Sequence, residues 1–265
     1  MATFAPARLV KGAARLSLPY GLFSVLNFDT PTEPHWQAGG VTWEPLGQTG
    51  IDSVGHPDDT DGSPSMGVPK NFDMSAPGPF PTATPFSVYG HQKMTPVAWD
   101  QASAEEKALE HLRAFEELQV ESNLWYGSAD NTPNLTDGIT AVGSPTDPAE
   151  AVWLLEDFLA ETYGSKGVIH IARSLASELI ADKVLETKGS LLQTVLGTPV
   201  IASGSYPKTH VRATPALFGF RSEVFTSSQP GSPLLDVRNN DLYAIAERTY
   251  LIGFDPTGVG SVTLS

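Results

Sequence analysis

The chain has 265 residues, enough for one large domain or two small ones, and 40% of them are hydrophobic, which supports a folded core. The absence of cysteine excludes disulfides, thiolate catalysis and cysteine-ligated metals, and no apolar run is long enough to span a membrane. Residues 1–28 carry three basic and no acidic side chains, whereas the remainder carries 13 basic and 30 acidic ones, so the net charge is −14. An acidic surface disfavours nucleic-acid binding over most of the protein, while the basic start suits an acidic partner.

The first 85 residues predict extensions rather than a compact domain. Residues 1–28 scatter single apolar side chains between basic ones and predict an extended arm. Residues 29–85 contain 10 of the 22 prolines and an acidic turn at residues 58–62. The segments His35–Gln37 and Val41–Trp43 predict a strand pair across Gly39-Gly40. Their two tryptophans argue against disorder, so we expect a long two-stranded excursion that packs on another chain.

The longest periodic segment, Asp100–Tyr126, predicts an amphipathic helix of about 33 Å. Ser103 and Glu106 have the spacing of a capping box, and Gly127 ends the pattern. We expect the apolar face to pack on strands near Phe86 and Ile245. Apolar residues recur at steps of three and four, namely Ala108, Leu109, Leu112, Phe115, Leu118, Leu124 and Trp125. Acidic residues fill the predicted opposite face, which we expect to be solvated or to lie at an interface, and they include Glu116, Glu117 and Glu121.

The rest of the chain predicts a mixed α/β region. Asp147 as N-cap, Pro148 at the first position and Gly164 as a stop predict a second helix. His170 falls in a buried strand, where we interpret it as a hydrogen-bonded structural histidine. The other predicted elements are a strand at 167–172, a helix from Ser174 to Leu185, and strands at 196–203, 216–226, 242–254 and 259–264.

The residues indicate no catalytic, cofactor or metal site. The six histidines show none of the HxxxH, HxH or HExxH spacings, and the acidic turn lacks the register of a calcium loop. There is no phosphate-binding loop and no nucleophile elbow. Glu247 and Arg248, at the centre of a predicted strand, are interpreted as members of an ion pair or an intersubunit salt bridge. A soluble α/β enzyme of unassigned reaction remains an alternative on these patterns alone.

The order of the predicted parts resembles that of the major capsid proteins of tailed bacteriophages, whose Hong Kong 97-type fold is also used by encapsulins. The resemblance covers nearly the whole chain. Four stretches carry it: VESNLWYG (Val120–Gly127), GVIHIARSLASEL (Gly167–Leu179), LGTPVIASGSYP (Leu196–Pro207) and IAERTYLIGFDP (Ile245–Pro256). It implies an α+β fold in four parts: an N-terminal arm (1–30), an extended two-stranded loop (31–85), a peripheral domain with the long spine helix (86–146 and 227–254) and an axial domain (147–226 and 255–265).

The resemblance also implies a structural protein, not an enzyme, that needs no cofactor. It would assemble with other copies into the hexamers and pentamers of an icosahedral phage head, in the host cytoplasm, and become part of the virion capsid. The shell would enclose double-stranded DNA without sequence-specific binding, and without a membrane. Scaffolding, portal and decoration proteins are the further partners that it suggests. The alternatives are an encapsulin-like nanocompartment shell protein, or another virion component such as a tail or decoration protein.

For contacts between subunits we predict ten residues: Arg8, Lys11, Arg15, Trp36, Trp43, Lys70, Glu117, Glu121, Glu247 and Arg248. Some relatives cross-link a loop lysine to an asparagine of the peripheral domain. The corresponding pair here would be Lys70 with Asn239 or Asn240, and we do not expect the link, because it needs a nearby activating carboxylate.

Overall fold

A computed structural model describes residues 17–44, 80–94, 101–227, 235–236 and 241–265. The helices are α1 (Leu22–Val25), α2 (His35–Gly39), α3 (Gln101–Tyr126), α4 (Pro148–Thr162) and α5 (Arg173–Ala181), with a 3-10 turn at Pro256–Gly258. The strands are β1 (Val41–Thr42), β2 (Thr82–Ala83), β3 (Phe86–Met94), β4 (Thr140–Gly143), β5 (Val168–Ala172), β6 (Leu185–Lys188), β7 (Leu191–Thr194), β8 (Pro199–Ser203), β9 (His210–Thr214), β10 (Phe218–Arg221), β11 (Phe225–Thr226), β12 (Leu235–Asp236), β13 (Asp241–Gly253) and β14 (Gly260–Thr263).

The long strand β13 organises a five-stranded sheet in which it pairs antiparallel with β3, β10, β11 and β12. Helix α3 packs against β3 and β13. The approach is close because Gly90 has no side chain: a Cβ there would lie 2.5 Å from the backbone nitrogen of Leu112. Alanines at positions 104 and 108 are fully buried on the same side of the helix. Small residues on both elements therefore set the distance between helix and sheet.

A seven-stranded sheet forms the second unit, in the order β4-β14-β9-β5-β8-β7-β6. Its central strand β5 is buried along its whole length and pairs parallel with β8 and antiparallel with β9. Helix α4 begins as predicted, because the side chain of Asp147 accepts a hydrogen bond from the amide of Ala149 at 2.9 Å and Pro148 occupies the first turn. Helices α4 and α5 contact each other and the strands of this sheet.

The core has two main parts that correspond to the two sheets. The part beneath α3 is rich in aromatic side chains and includes Trp125, Tyr250 and Phe254. The part beneath α4 and α5 is aliphatic and includes Leu155 and Ile169. Among the described residues, none of the helices combines the length and the apolar character needed to cross a lipid bilayer.

The long helices and the central strands are confirmed, but several shorter elements differ from the predictions. The segment His35–Gly39 is helical rather than extended, and Gly40 ends it with a positive φ of 73°. Strand β1 consequently pairs with β2 and not with residues 35–37. Helix α5 ends at Ala181, and the residues that were predicted as its last turn lead into a hairpin of β6 and β7. Lys183 and Gly189 adopt the positive φ values that these two changes of direction require.

Other boundaries also move. Helix α3 begins at Gln101, so Ser103 lies inside the helix rather than at its cap. Part of the predicted arm forms the helical turn α1, and β4 lies between the two long helices, where no strand was predicted. The predicted strand 216–226 is divided into β10 and β11. Both pair with β13, whereas β4 pairs with β14. Residues 218–226 therefore lie in the sheet of the predicted peripheral domain, and residues 140–143 in the sheet of the predicted axial domain.

The buried face of α3 follows the predicted apolar stripe at most positions: Ala108, Leu112, Leu124 and Trp125 are buried, and Leu109 packs against the core. Phe115, however, is 45% exposed and Leu118 is 37% exposed. Two acidic residues turn inward instead: Glu116 is half-buried and Glu121 is buried. The prediction fails only in the middle of the helix, at Phe115 and Leu118, where α3 meets polar partners on a second side that an apolar pattern does not report.

Candidate assembly site

The chain between Pro19 and Phe23, which we call the N-terminal clasp, is bound to both units at once. It contacts α3, which belongs to the five-stranded unit, and α5 and β8, which belong to the seven-stranded unit. Four hydrogen bonds of 2.8 Å hold it: Arg173 Nη1 to the Pro19 carbonyl, the Ala202 amide to the Tyr20 carbonyl, the Leu22 amide to Glu121 Oε1, and the Phe23 amide to Glu117 Oε1. The clasp thus ties the start of the described chain to the junction between the two units.

The backbone of the clasp is shaped for this contact. Tyr20 has a positive φ of 70°. Gly21 follows it, and a Cβ at Gly21 would collide with the Glu117 carboxylate and lie 2.9 Å from Oε1 of Glu121. The two carboxylates accept hydrogen bonds from the first amides of α1, which have no partner within that short helix. Carboxylates from a distant helix therefore act as the caps of α1.

Burial governs the protonation of the two clasp carboxylates. Glu121 is 3% exposed and also accepts a hydrogen bond from the Ser203 hydroxyl at 2.5 Å. Burial raises the pKa of Glu121 to about 7, although the hydrogen bonds from Ser203 and Leu22 act in the opposite direction. Burial also raises the pKa of Glu117, which is half-buried. The prediction that these carboxylates form a solvated face is wrong for Glu121, and their role between subunits stays a prediction.

His170 and Arg212 lie buried on neighbouring strands of the seven-stranded sheet. The Nε2 atom of His170 lies 3.1 Å from the Thr214 hydroxyl, so the interpretation of His170 as a hydrogen-bonded structural histidine is confirmed. Burial lowers the pKa of His170 to about 3, and the charge of Arg212 acts in the same direction. Arg212 lies 4.4 Å from the centre of the Trp125 ring and donates to the Leu135 carbonyl. The described residues hold no group of three or more histidine, aspartate or glutamate side chains placed to bind a metal ion.

Four of the predicted interface residues, Arg8, Lys11, Arg15 and Lys70, lie outside the described residues, as do Asn239 and Asn240. Both tryptophans of the predicted loop pack within their own chain. Trp36 is 5% exposed and lies 5.9 Å from the ring of Phe220, and Trp43 meets Phe218 edge-on at 5.0 Å. A contact of Trp36 or Trp43 with another subunit stays a prediction.

Glu247 and Arg248 point to opposite faces of β13, as adjacent residues of a strand must. Arg248 forms an ion pair with Glu116 of α3 at 3.1 Å, and Glu116 also accepts the Tyr250 hydroxyl at 3.0 Å. The ion-pair interpretation is thus confirmed for Arg248, with a partner on the helix. Glu247 lies opposite Tyr89 and Phe225 in the strand register, on the face away from α3. A role of Glu247 or Arg248 between subunits stays a prediction.

Sequence reasoning missed an exposed apolar surface made of Trp153 on α4 with Val195 and Leu196 in the turn before β8. These side chains are 56%, 59% and 70% exposed. The signal for Trp153 was present in the sequence, because the buried positions of α4 are Val152, Leu155 and residues at the same helical spacing, which leaves position 153 outside the buried face. For the turn, nothing in the local pattern separates exposed from buried apolar residues.

No protein-family model and no curated protein matches the sequence. Solved structures match it over nearly its whole length. A chain of Microbacterium phage Oxtober96 is 13% identical, with a TM-score of 0.59 over 99% of this chain and 96% of that one. The capsid of the empty GTA particle is 12% identical, with a TM-score of 0.58 over 99% and 95%. The holo-SrpI encapsulin complex from Synechococcus elongatus PCC 7942 is 13% identical, with a TM-score of 0.54 over 97% and 92%.

At this level of identity the likeness establishes the fold alone. It extends over both sheets, the long helix and the described ends of the chain, so it does not rest on one shared motif. The predicted α+β class is confirmed, and so is the resemblance that the four sequence stretches carry. The chain has the Hong Kong 97-type fold shared by phage capsid proteins and encapsulins.

Proposed function

We propose that this protein is the major structural subunit of a phage head, forming hexamers and pentamers of an icosahedral shell around double-stranded DNA. The match of the whole chain to shell-forming proteins carries this proposal, because 99% of this chain aligns with 95% of the GTA capsid protein. A match in both directions leaves little of either chain for a different function. The protein would accordingly be located in the virion capsid, after assembly in the host cytoplasm.

The division into two units supports roles for the parts. We assign the five-stranded sheet with α3 to the peripheral domain and the seven-stranded sheet with α4 and α5 to the axial domain. On this assignment residues 218–226 belong to the peripheral domain, since β10 and β11 pair with β13. We also keep the N-terminal arm (1–30) and the extended loop (31–85) as the parts proposed to reach neighbouring subunits.

The charge of the chain favours a shell around DNA that does not adhere to its contents. The net charge is −14, and like charge repels the phosphate backbone. Such a wall would enclose DNA without sequence-specific contacts. Scaffolding, portal and decoration proteins are the expected partners of a head of this kind. The likeness to an encapsulin supports a second candidate, a nanocompartment whose cargo is protein rather than DNA.

Expression of the full chain followed by analytical ultracentrifugation and negative-stain electron microscopy tests the proposal. Closed particles, or rings of five and six subunits, are the expected result. A folded species that remains a monomer or small oligomer at all concentrations would contradict it. Leu112→Asp, a variant with a disrupted core, should give no particles and controls for contaminating shells.

The contents of particles made in phage-infected cells separate the two candidates. Nuclease-protected double-stranded DNA supports the phage head. Particles that contain a specific host protein and no protected DNA would favour the nanocompartment instead.

A further inference from the structure

Two carboxylates of α3 meet under the N-terminal clasp. A Cβ at Gly21 would touch one oxygen of Glu117 and one of Glu121, so these two oxygens lie within about 5 Å of each other, close enough for each charge to oppose the other. They accept hydrogen bonds from consecutive backbone amides, those of Leu22 and Phe23. The two glutamates are one helical turn apart, so they remain neighbours whether or not the clasp covers them. The clasp therefore covers a pair of like-charged groups.

The charged groups around the pair do not offset its burial. Arg173 of α5 favours the ionised form of both carboxyl groups, but its Nη1 atom donates to two backbone carbonyls of the clasp and β8, at 2.8 and 3.5 Å. On α3, the exposed Arg113 lines the hollow beside the pair, and Glu116 opposes the ionisation of Glu117. Burial is the largest influence, and it raises the pKa of Glu117 and of Glu121.

The remaining titratable groups at the pair are phenols. Within the clasp, residues 19–23, the one titratable side chain is that of Tyr20. Burial raises the pKa of Tyr206, which follows β8, so this side chain stays neutral. No group facing the pair thus changes its charge together with the two carboxylates in the neutral pH range.

The closed clasp can hold a proton on Glu121 without losing a hydrogen bond. The Oε1 atom accepts from the Leu22 amide, and the Oε2 atom lies 2.5 Å from the Ser203 hydroxyl. A protonated Oε2 can donate to that hydroxyl, which then donates to the Ser205 hydroxyl 2.8 Å away. A hollow of about 120 Å³ lined by both carboxylates has room for the water that carries the proton. The neutral form of Glu121 is therefore fully satisfied under the clasp.

We propose that Glu117 and Glu121 form a proton-controlled switch that opens and closes the N-terminal clasp. With one proton on the pair, the closed clasp covers a single negative charge near Arg173. Without that proton, the closed clasp covers two charges, and opening allows water to solvate both. Acid pH therefore favours the closed clasp, and a rise toward neutral pH favours the open one. The inference goes beyond the proposed function and does not depend on assembly, because every group of the switch belongs to one chain.

The pH range of the switch follows from the ionisation of Glu121. Its pKa is about 7 under the closed clasp and 4.5 when the carboxyl group is exposed to water. The equilibrium constant for opening should therefore rise by up to about tenfold for each pH unit between 4.5 and 7, and level off above 7.

Hydrogen exchange of the full chain, measured by mass spectrometry and corrected for the intrinsic exchange rate at each pH, reports the opening of the clasp. Protection of a peptide covering residues 17–26 should fall at least about tenfold between pH 5 and 7.5. A peptide covering α4 should keep its protection, which separates local opening from unfolding. Glu121→Gln should keep the clasp protected at both pH values, because an amide does not ionise. Wild-type protection that is independent of pH, or that falls equally in α4 or in Glu121→Gln, would overturn the inference.

Glu117→Gln tests whether the two carboxylates act as a pair. The amide oxygen can still accept from Phe23, but it carries no charge to oppose the ionisation of Glu121. The fall in protection between pH 5 and 7.5 should therefore be several-fold smaller than in the wild type. Glu150→Gln, at an exposed position of α4, is the matched control and should keep the wild-type profile. An unchanged profile in Glu117→Gln would contradict the paired switch, while the proposed function, which is tested by assembly, would stand.

Discussion

The two units of the molecule bury their long helices in different ways. Helix α4 of the seven-stranded unit covers its sheet with aliphatic residues such as Val152, Leu155 and Leu159, at regular helical spacing. Helix α3 of the five-stranded unit lies against Gly90 through alanines, and turns Glu121 toward the clasp and β8. The apolar periodicity of α3 therefore identifies its buried residues Leu112, Leu124 and Trp125 but not the inward-facing Glu121.

The difference follows from the number of partners that each helix has. Helix α4 has its sheet on one side. Helix α3 contacts its own sheet through Leu112. It contacts the N-terminal clasp through Glu117 and Glu121, and the neighbouring unit through the hydrogen bond that Ser203 of β8 donates to Glu121. Backbone amides and a hydroxyl at this junction need acceptors, and carboxylates supply them. Helix α3 is thus the element at which the two units are joined.

The largest expected effect separates a buried position of the apolar stripe of α3 from an exposed one. Leu112→Asp should abolish the fold of the five-stranded unit, because it places an unpaired charge in the aromatic core at a cost of more than about 4 kcal/mol. Leu118→Asp, on a side chain that is 37% exposed, should leave the free energy of unfolding within about 1 kcal/mol of the wild type. Circular dichroism during urea unfolding measures both. Equal losses in the two variants would show that Leu118 is buried like Leu112, which would contradict its exposed position.

A pH effect on the junction comes next. The pKa of Glu121 rises from 4.5 to about 7 in the folded protein, so the folded state binds the proton more tightly than the unfolded state does. The stabilising contribution of the protonated form is complete below pH 4.5 and is lost as the pH rises through 7. The loss is on the order of 3 kcal/mol. Glu121→Gln removes it, because an amide can accept from Leu22 and donate to the Ser203 hydroxyl without charge.

The difference in the free energy of unfolding between the wild type and Glu121→Gln isolates the contribution of this carboxyl group. His170 acts in the opposite direction, since its pKa falls from 6.5 to about 3 and the folded state loses stability as the pH falls below 6.5. Both proteins share that contribution, and it cancels in the difference. The free energy of unfolding of the variant relative to the wild type should rise between pH 4.5 and 8. A difference that stays constant across this range would contradict the buried, proton-binding Glu121.

A smaller effect is expected from closing the gap that Gly90 leaves. Gly90→Ala places a methyl group 2.5 Å from the Leu112 nitrogen, so α3 must move away from the sheet, at a cost of about 1 to 3 kcal/mol. Gly39→Ala is the matched control, because a Cβ there has no atom within 4 Å and the variant should be neutral or slightly stabilising. Thermal unfolding compares them. A Gly90→Ala protein as stable as Gly39→Ala would show that α3 does not lie so close.

The smallest expected effect concerns Glu117, the half-buried carboxylate that holds the clasp. Glu117→Lys removes the acceptor for the Phe23 amide and brings a cation toward Arg173, so it should loosen the clasp and cost about 1 kcal/mol while the fold remains. Chymotrypsin should then cut faster near Tyr20 and Phe23. Glu150→Lys on α4, an exposed acidic position in the other unit, is the control for the change in charge. Equal cleavage rates in the two variants would contradict the role of Glu117 in holding the clasp.

Much of the seven-stranded unit could be predicted from local sequence because its signals are local. Asp147 and Pro148 mark the start of α4, and the apolar run of β5 marks a strand buried on both faces. The segment 35–39 could not be predicted as a helix, since two aromatic or apolar segments around a Gly-Gly pair also fit a hairpin. The start of the hairpin of β6 and β7 was missed because Val184 and Leu185 continue the apolar spacing of α5, although the chain turns at Lys183.

The candidate site is harder to predict because its partners are far apart in the sequence. Glu121 meets Leu22 across 99 positions and Ser203 across 82. A glutamate on a helix is usually solvated, and only the arrival of distant donors makes its burial favourable. The whole order of elements was nevertheless informative, since it indicated the fold before any of these contacts was known.

Cryo-electron microscopy of particles formed by the full chain tests the central claim most directly. We predict closed icosahedral shells whose subunits keep the two units joined at α3, with the clasp in place. Particles built from subunits with a different arrangement of the two sheets, or a homogeneous small oligomer under all assembly conditions, would contradict the account.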